Sequence, residues 1–294
     1  MIIPRLNTNQ KIAFINVSDS PAKITNKNIE SGISRIKNLG FEVEFSQDSI
    51  LTRMDSKKQA FEFNKLVKRE EIGCIICTSG GTNCISILPY IDYNLLTNNP
   101  KVVMGTSDCS HLLQAITHKT NVVTIDGPVV NRLGEWYQIG EAAFVDYCIQ
   151  DKNIIYNKPE EWHIFSEGSA KGISLSGNII TTLSMLFLLN KNTLDNTILF
   201  IEDHSNENEE MIQYWFSVLQ EKGVFESIKG VVFGTFSTCS TLGITQILYN
   251  KFFKDLNIPV IQTDLFGIKN YCPIPIGANC SIDTTQETIT FYCA

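Results

Sequence analysis

The chain has 294 residues, of which 43% are hydrophobic and 19% are charged, and its formal net charge is −7 at pH 7. A chain of this length can bury a sizeable core and is long enough to form two domains. The acidic balance and the lack of a clustered basic patch argue against nucleic acid or an anionic membrane surface as a partner. No apolar run reaches the roughly 18 residues of a membrane span, and the first residues lack the pattern of a secretory leader. We therefore expect a cytoplasmic location.

Cysteine usage predicts reduced thiols rather than a disulfide framework. The nine cysteines are an odd number and are scattered through segments predicted as strands and helix faces. Cys74 and Cys77 form a C-x-x-C pair, but they lie in a predicted strand, where residues three apart point to opposite faces. Such a pair is poorly placed to share a metal, so no metal site is expected.

The first half of the chain alternates between predicted strands and predicted helices. Apolar runs predict buried strands, and apolar residues at helical spacing predict the intervening helices. Strands are expected at 11–17, 42–45, 72–77, 102–104 and 122–125, and helices at 28–39, 56–70, 85–88 and 112–116. This alternation predicts an α/β domain with a mostly parallel sheet and right-handed crossovers, in which ligands bind beyond the carboxyl ends of the strands.

The second half restarts after a weaker pattern over about residues 129–165, which predicts a connection between two domains. The expected domains are 1–150 and 165–294. In the second domain, strands are expected at 198–201, 230–236 and 259–263, helices at 179–189, after 207–210 and through 247–252, and a terminal hairpin at 281–292.

The most informative stretch is Lys101–Leu113, in which a buried strand is predicted to turn sharply into a helix at Ser107. A hydroxyl there projects from the carboxyl end of the sheet, beside the free N–H groups of a helix start. A nucleophilic serine with an oxyanion hole requires this placement. The alternative is that Ser107 is only a helix N-cap, followed by an aspartate that favours a helix start.

A glycine pair, Gly80-Gly81, follows the predicted strand 72–77 and therefore falls at the same edge of the sheet as Ser107. Backbone N–H groups of such a loop suit a phosphate, an oxyanion or a substrate carboxylate. Neither G-x-G-x-x-G nor a Walker lysine accompanies the pair, so nucleotide binding is only weakly supported.

Titratable groups supply the remaining candidates. Glu202 closes the apolar strand LFIED, and a carboxylate buried by this position needs a partner, which leaves a catalytic role and a structural cap or salt bridge as alternatives. His111 and His118 follow Ser107 on the predicted helix, where a solvated or structural role is expected. The other histidines, His163 and His204, do not stand in an obvious position for a base.

Eight short motifs occur in an order that resembles the serine-peptidase family of LD-carboxypeptidases and microcin C immunity proteins: GG-T-N, LPYIDYNLL, NPKVVMGTSD, TIDGP, SGN, LFIED, GVVFG and PIG. The resemblance extends over about residues 4–283 and is best between 80 and 128. It implies a flavodoxin-like parallel-sheet amino-terminal domain, plus a smaller mixed α/β carboxy-terminal domain. Members are usually homodimers, and their chemistry needs neither a metal nor an organic cofactor.

The resemblance also implies a Ser-Glu-His triad between the two domains. By position, Ser107 resembles the nucleophile and Glu202 the carboxylate that orients the histidine. The backbone N–H groups of Gly81 and Asp108 resemble the oxyanion hole, and Gly80 belongs to the same substrate-binding loop.

One departure from the family pattern affects the base. The family histidine lies in a Phe-Gly-His motif shortly before Pro-Ile-Gly, and this chain has Ile268 there. Isoleucine accepts no proton, and without a base a serine hydroxyl is weakly nucleophilic at neutral pH. No histidine follows residue 204, so a shifted placement of this loop does not restore the usual triad. His204, two residues beyond Glu202, is the candidate for a replacement base, and Lys269 is a second one if desolvation lowers its pKa.

Two classes of function follow from these residues. The first is a serine carboxypeptidase-like hydrolase acting on a small peptide, such as a cell-wall tetrapeptide ending in D-alanine, or on an acyl-nucleotide. The second is a catalytically inactive homologue that binds a ligand in the same cleft, which Ile268 favours. A nucleotide-binding flavodoxin-like module is a third and more distant alternative.

Overall fold

A computed structural model describes residues 1–18, 26–46, 55–158, 161–188, 194–203, 207–237, 239–267 and 270–293. Within them the chain forms a mixed α/β fold with two sheets. The elements of the first half, in order, are β1 (Lys11–Ile15), α1 (Asn26–Asn38), β2 (Val43–Phe45), α2 (Ser56–Lys68), β3 (Ile72–Cys77), α3 (Tyr93–Asn98), β4 (Val102–Gly105), α4 (Ser110–Thr120) and β5 (Thr124–Asp126).

The elements of the second half are α5 (Val130–Leu133), α6 (Gln138–Phe144), β6 (Ile154–Asn157), β7 (Trp162–Ser166), β8 (Ser169–Asn178), α7 (Ile179–Leu188), β9 (Thr197–Asp203), α8 (Glu209–Glu221), β10 (Gly230–Phe236), α9 (Thr241–Leu248), β11 (Val260–Thr263), β12 (Ile274–Ile276), β13 (Asn279–Asp283) and β14 (Thr288–Phe291). The predicted terminal hairpin is confirmed, because β13 and β14 pair antiparallel.

The first sheet has the strand order β12-β5-β4-β3-β1-β2 in the described residues. The pairs from β5 to β2 are parallel, which confirms the predicted parallel sheet. The helical connections between these strands follow from the alternation seen in the sequence. The antiparallel edge strand β12 was not predicted, since its three residues Ile274–Ile276 are too few for a periodic pattern.

The second sheet has the order β6-β14-β13-β8-β9-β10-β11-β7. Its centre, from β8 to β11, is parallel, and antiparallel strands extend it on both sides. Residues 129–165, which were predicted as a weakly patterned connection between two domains, contain α5, α6, β6 and most of β7. These elements were not predicted because they are short. The buried residues of this stretch, such as Trp136, Phe144 and Tyr147, are too irregularly spaced to produce a clear period.

Three apolar clusters fill the layers. One contains residues of both sheets, including Phe14 and Phe200, and therefore joins the two halves. Each of the other two lies between one sheet and its outer helices. Cys74 and Cys77 fall in different clusters, which confirms that they point to opposite faces of β3. Among the described helices, none combines the length and hydropathy that crossing a membrane would demand.

Candidate functional site

Ser107 begins a single 3-10 turn, Ser107–Cys109, that connects β4 to α4. Its φ of 58° is in the left-handed region, which non-glycine residues rarely adopt. The turn is tight, because a Cβ added at Gly105 would lie only 2.9 Å from the Cβ of Cys109. A half-buried serine in a strained turn between strand and helix has the geometry of a nucleophile elbow. The N-cap interpretation of Ser107 is wrong, because Thr106 and Cys109 occupy the cap positions.

The glycine loop after β3 lies against Ser107, as its position at the carboxyl edge of the sheet predicted. A Cβ added at Gly80 would be 3.2 Å from both the Cβ and the Oγ of Ser107, and 3.8 Å from the amide nitrogen of Asp108. A side chain at residue 80 would therefore press on the serine hydroxyl. Gly81 is half-exposed at the start of the same loop, which continues into a 3-10 helix at Cys84–Tyr90.

The carboxylate of Asp108 connects this loop to the turn through hydrogen bonds. Its Oδ2 accepts hydrogen bonds from the amides of Asn83 and Cys84, at 3.0 and 2.8 Å, and from the hydroxyl of Ser18. Burial alone would raise the pKa of Asp108, but bonds from His111, Ser18 and the Cys84 amide outweigh it and lower the pKa below its usual value. The sequence had indicated only the backbone amide of Asp108, so this side-chain role was missed.

His111 links the turn to the second half of the molecule. Its Nδ1 lies 2.9 Å from the carbonyl oxygen of Asp108, and its Nε2 lies 2.6 Å from Oγ of Ser184 on α7. Only 7% of this residue is exposed. Both ring nitrogens of the buried His111 therefore have partners, which supports a structural role for this residue.

Glu202 is fully buried at the carboxyl end of β9, with 3% of its surface exposed. It pairs in register with Asn178 of β8, whose side chain hydrogen-bonds to the carboxyl. Its Oε2 has no hydrogen-bond partner among the residues that the structure describes. Burial, and then the neighbouring Asp126 and Asp203, raise the pKa of Glu202 well above its usual value.

Asp126 is a buried acid near Glu202 that was not predicted as a site residue from the sequence. It ends β5 beside Gly105 of β4, and its Oδ2 accepts a hydrogen bond of 2.7 Å from Ser176 of β8. Burial raises its pKa to about 6, against smaller opposing effects of hydrogen bonds from Ser176 and Thr106. The argument applied to Glu202, an acid that closes an apolar strand, would have found it in TIDGP.

Three residues of the predicted site, His204, Ile268 and Lys269, lie outside the described residues. The structure brings together Ser107, Gly80 and Asp108, and it places Asp126 near enough to Glu202 to raise the pKa of that carboxyl. Within the described ranges, no group of three or more histidine, cysteine or acidic side chains is arranged to hold a metal ion.

The fold and the serine turn define an α/β protein with a nucleophile-elbow site, and comparisons with known proteins narrow the class. The family model of the LD-carboxypeptidase N-terminal domain matches residues 12–127, and that of the LD-carboxypeptidase C-terminal domain matches residues 171–282. The chain therefore belongs to the LD-carboxypeptidase family of serine peptidases, as its motifs predicted.

Individual relatives extend over most of the chain. The microcin C7 self-immunity protein MccF of Escherichia coli is 28% identical over 315 residues, which cover 93% of this chain and 90% of that protein. A probable murein peptide carboxypeptidase of Bacillus subtilis is 25% identical over 284 residues, covering 89% and 86%.

Solved structures confirm the fold. An MccF-like protein from Bacillus anthracis superposes with a TM-score of 0.87 at 24% identity, over 99% of each chain. Wild-type apo MccF superposes with a TM-score of 0.84 at 23% identity, over 99% of this chain and 98% of that one. The predicted fold class, a parallel-sheet amino-terminal half followed by a mixed α/β carboxy-terminal half, is confirmed.

Proposed function

We propose that this protein is a serine-type hydrolase that cleaves an amide next to a free carboxylate, with Ser107 as the nucleophile. The observation that carries the proposal is the left-handed turn at Ser107, with Gly80 against its hydroxyl. Strain of this kind persists where the surrounding structure overdetermines it, and it is concentrated at functional sites.

In the proposed reaction, Ser107 Oγ attacks the carbonyl carbon next to the scissile bond. The amides of Gly81 and Asp108 stabilise the negative charge that develops on the carbonyl oxygen. The hydrogen bonds that Asn83 and Cys84 amides donate to Asp108 Oδ2 support this assignment, since they hold the loop and the turn together before substrate arrives. Glu202 orients the group that serves as base.

Two substrate classes are supported by the relatives. The Bacillus subtilis relative is named as a probable murein peptide carboxypeptidase, which supports a peptide substrate such as one ending in D-alanine. MccF has been solved with aspartyl sulfamoyl adenosine and with glutamyl sulfamoyl guanosine, which supports an acyl-nucleotide. A muropeptide-like tetrapeptide and an aspartyl-adenylate analogue therefore form the test panel.

The decisive experiment measures product release from both substrates by wild type, Ser107→Ala and His204→Ala. We expect Ser107→Ala to lose at least about 10³-fold in kcat, the usual scale for loss of a serine nucleophile. Ser217→Ala is the control, because Ser217 lies on α8 and its hydroxyl donates to the carbonyl of Gln213 within that helix. Equal rates in wild type and Ser107→Ala would overturn the proposal.

A second candidate function is a non-catalytic ligand-binding homologue, and Ile268 is the specific observation that favours it. Its signature would be binding of both test compounds, measured calorimetrically, with no turnover in wild type. The homodimer implied by the family resemblance belongs to the same proposal, and sedimentation equilibrium of the full chain tests it.

A further inference from the structure

Two buried acids from different halves of the molecule lie at the junction where the two sheets meet. Asp126 ends β5 of the first sheet, and Glu202 lies near the end of β9 in the second. Both are almost completely buried, at 6% and 3% exposure. Neither is explained by the family resemblance alone, because that resemblance assigns Glu202 to orient an imidazole and assigns nothing to Asp126.

Strand β8 provides a hydrogen-bond partner for each of the two carboxyls. Ser176 and Asn178 are two residues apart on this strand, so their side chains leave the same face. Ser176 Oγ donates to Asp126 at 2.7 Å, and the Asn178 side chain bonds to Glu202. Both acids therefore bond to the same face of β8, and Asp126 is the first charged group that acts on Glu202.

The surroundings of this pair disfavour two negative charges. Within the described part of the chain, the titratable groups that face it are Asp203 and Tyr271 beside Glu202 and the thiol of Cys109 beside Asp126. None of these is a cation. Oε2 of Glu202 also has no hydrogen-bond partner among the described residues. Two carboxyls that are desolvated in one another's field favour a state with one proton between them.

Asp126 also reaches the serine turn. It lies opposite Gly105 in the β4–β5 register, and the Thr106 hydroxyl bonds to its carboxylate. Ser107 is the next residue. The pair is therefore anchored to the segment that presents the serine, and it does not require any residue of the loop that contains Ile268.

We propose that Asp126 and Glu202 share one proton across the junction between the sheets, and that Asp126 is the proton acceptor for Ser107. The shared proton is a property of the pair itself, whereas the acceptor role rests on the proposed hydrolase function. Asp126 is thus the catalytic residue of the pair, and Glu202 is the positioning residue that retains the proton.

The proton transfers balance for amide hydrolysis. As Ser107 Oγ bonds to the carbonyl carbon, its proton passes to Asp126 directly or through one water molecule. When the C–N bond breaks, protonated Asp126 returns that proton to the leaving amine. A water molecule then gives a proton to Asp126 as its oxygen attacks the acyl-serine ester. The C–O bond breaks, and Ser107 Oγ takes the proton back.

The first readout needs no turnover. Infrared spectroscopy at pH 7 should detect the carbonyl stretch of one buried, protonated carboxylic acid in wild type and in Ser107→Ala. The band should disappear in Glu202→Gln. Its absence from wild type would overturn the shared proton whether or not the protein is a hydrolase.

The second readout is the pH dependence of kcat/KM for wild type, Asp126→Asn, Asp126→Glu, Ser176→Ala and His204→Ala, with the exposed cap residue Asp92 changed to Asn as the control. We expect wild-type kcat/KM to rise with pH as the pair loses the first of its two protons, that of Asp126, near pH 6. Asp126→Asn should lose at least about 100-fold, mostly in kcat, and Asp126→Glu should recover part of it. Ser176→Ala should move the rise to higher pH, since it removes a hydrogen bond that favours ionised Asp126.

The outcomes separate the two proposals. Ser107-dependent hydrolysis that survives in Asp126→Asn overturns the acceptor role, and loss of that hydrolysis in His204→Ala alone assigns the base to His204 instead. Absence of hydrolysis in wild type overturns the hydrolase function and the acceptor role together, while the infrared band still decides the shared proton. Ser176→Ala leaves both carboxyls in place, so it keeps the test open if Asp126→Asn does not fold.

Discussion

Two buried acidic sites flank Ser107, and their surroundings are opposite. Asp108 follows the serine within the turn, and its carboxylate accepts bonds from the Ser18 hydroxyl and from the amides of Asn83 and Cys84. Asp126 and Glu202 lie at the junction of the sheets, where hydroxyl and amide side chains supply fewer donors and each carboxyl faces other acids. The exposed fractions of the three residues are nearly equal, at 5%, 6% and 3%.

All three side chains are almost inaccessible to solvent, and the hydrogen bonds that they accept differ. The pKa of Asp108 lies below its usual value because several donors bond to the charged form and outweigh the desolvation. The pKa values of Asp126 and Glu202 are raised because desolvation is not offset. The turn therefore holds a fixed charge, whereas the junction holds a transferable proton.

The largest expected effect on stability comes from removing the fixed charge. Asp108→Ala leaves the amides of Asn83 and Cys84 without their acceptor, and buried donors that lose a charged partner are costly. We expect the free energy of unfolding to fall by about 3–5 kcal/mol, measured by urea denaturation at pH 7.

The matched control is Asp92→Ala, which removes an exposed aspartate that caps α3 through the Leu95 amide and should cost about 1 kcal/mol. Because the pKa of Asp108 is lowered in the folded state, its contribution is present above the unfolded-state pKa and is lost as the pH falls through the folded-state value. Equal losses in the two variants at pH 7 would contradict the role given to Asp108.

The next largest change in the free energy of unfolding is expected from Asp126 at the junction, and its pH dependence should be opposite to that of Asp108. Folded Asp126 binds a proton up to about pH 6, whereas its usual pKa is 3.8, so the folded state holds more protons than the unfolded state in between. The free energy of unfolding of wild type should therefore fall by about 2.5 kcal/mol relative to Asp126→Asn as the pH rises from 4 to 7. Urea denaturation of both proteins at several pH values measures the difference. A difference that does not vary with pH would show that Asp126 ionises normally.

The contrast between the two sites also explains what the sequence could predict. Periodicity and strand ends were sufficient to predict the parallel sheet, the sharp turn at Ser107 and the approach of Gly80, because these depend on local pattern and on the placement rule for parallel strands. The hydrogen bonds of Asp108 were not predictable, since they depend on amides of a loop 24 and 25 residues away.

The Asp126–Glu202 pair was harder still to predict, because Ser176, the partner of Asp126, belongs to a strand of the other sheet. No sequence rule places the end of β5 against β8. Each acid did carry a local signal, as the last or nearly last residue of an apolar strand, but only Glu202 was singled out. The partners of a buried acid are a tertiary property, whereas its burial is readable from the strand.

The smallest expected effect on stability is that of Gly80→Ala, which tests how strictly the turn must present its serine. The added methyl group would meet the Cβ and Oγ of Ser107 at 3.2 Å, so the serine side chain or the loop must move by a few tenths of an ångström. We expect a change in unfolding free energy of about 1 kcal/mol or less, since only the end of a small side chain is displaced. The rate of Ser107-dependent hydrolysis should nevertheless fall at least about 10-fold, because small misplacements of reacting groups are costly.

The control is Gly243→Ala, which provides similar crowding at a remote site. Its new methyl group would meet Ser240 at 3.3 Å, and it should leave the rate unchanged. Equal rates in Gly80→Ala and Gly243→Ala would mean that the strained turn tolerates displacement of its hydroxyl, and the proton acceptor would then have to follow a mobile serine rather than a fixed one.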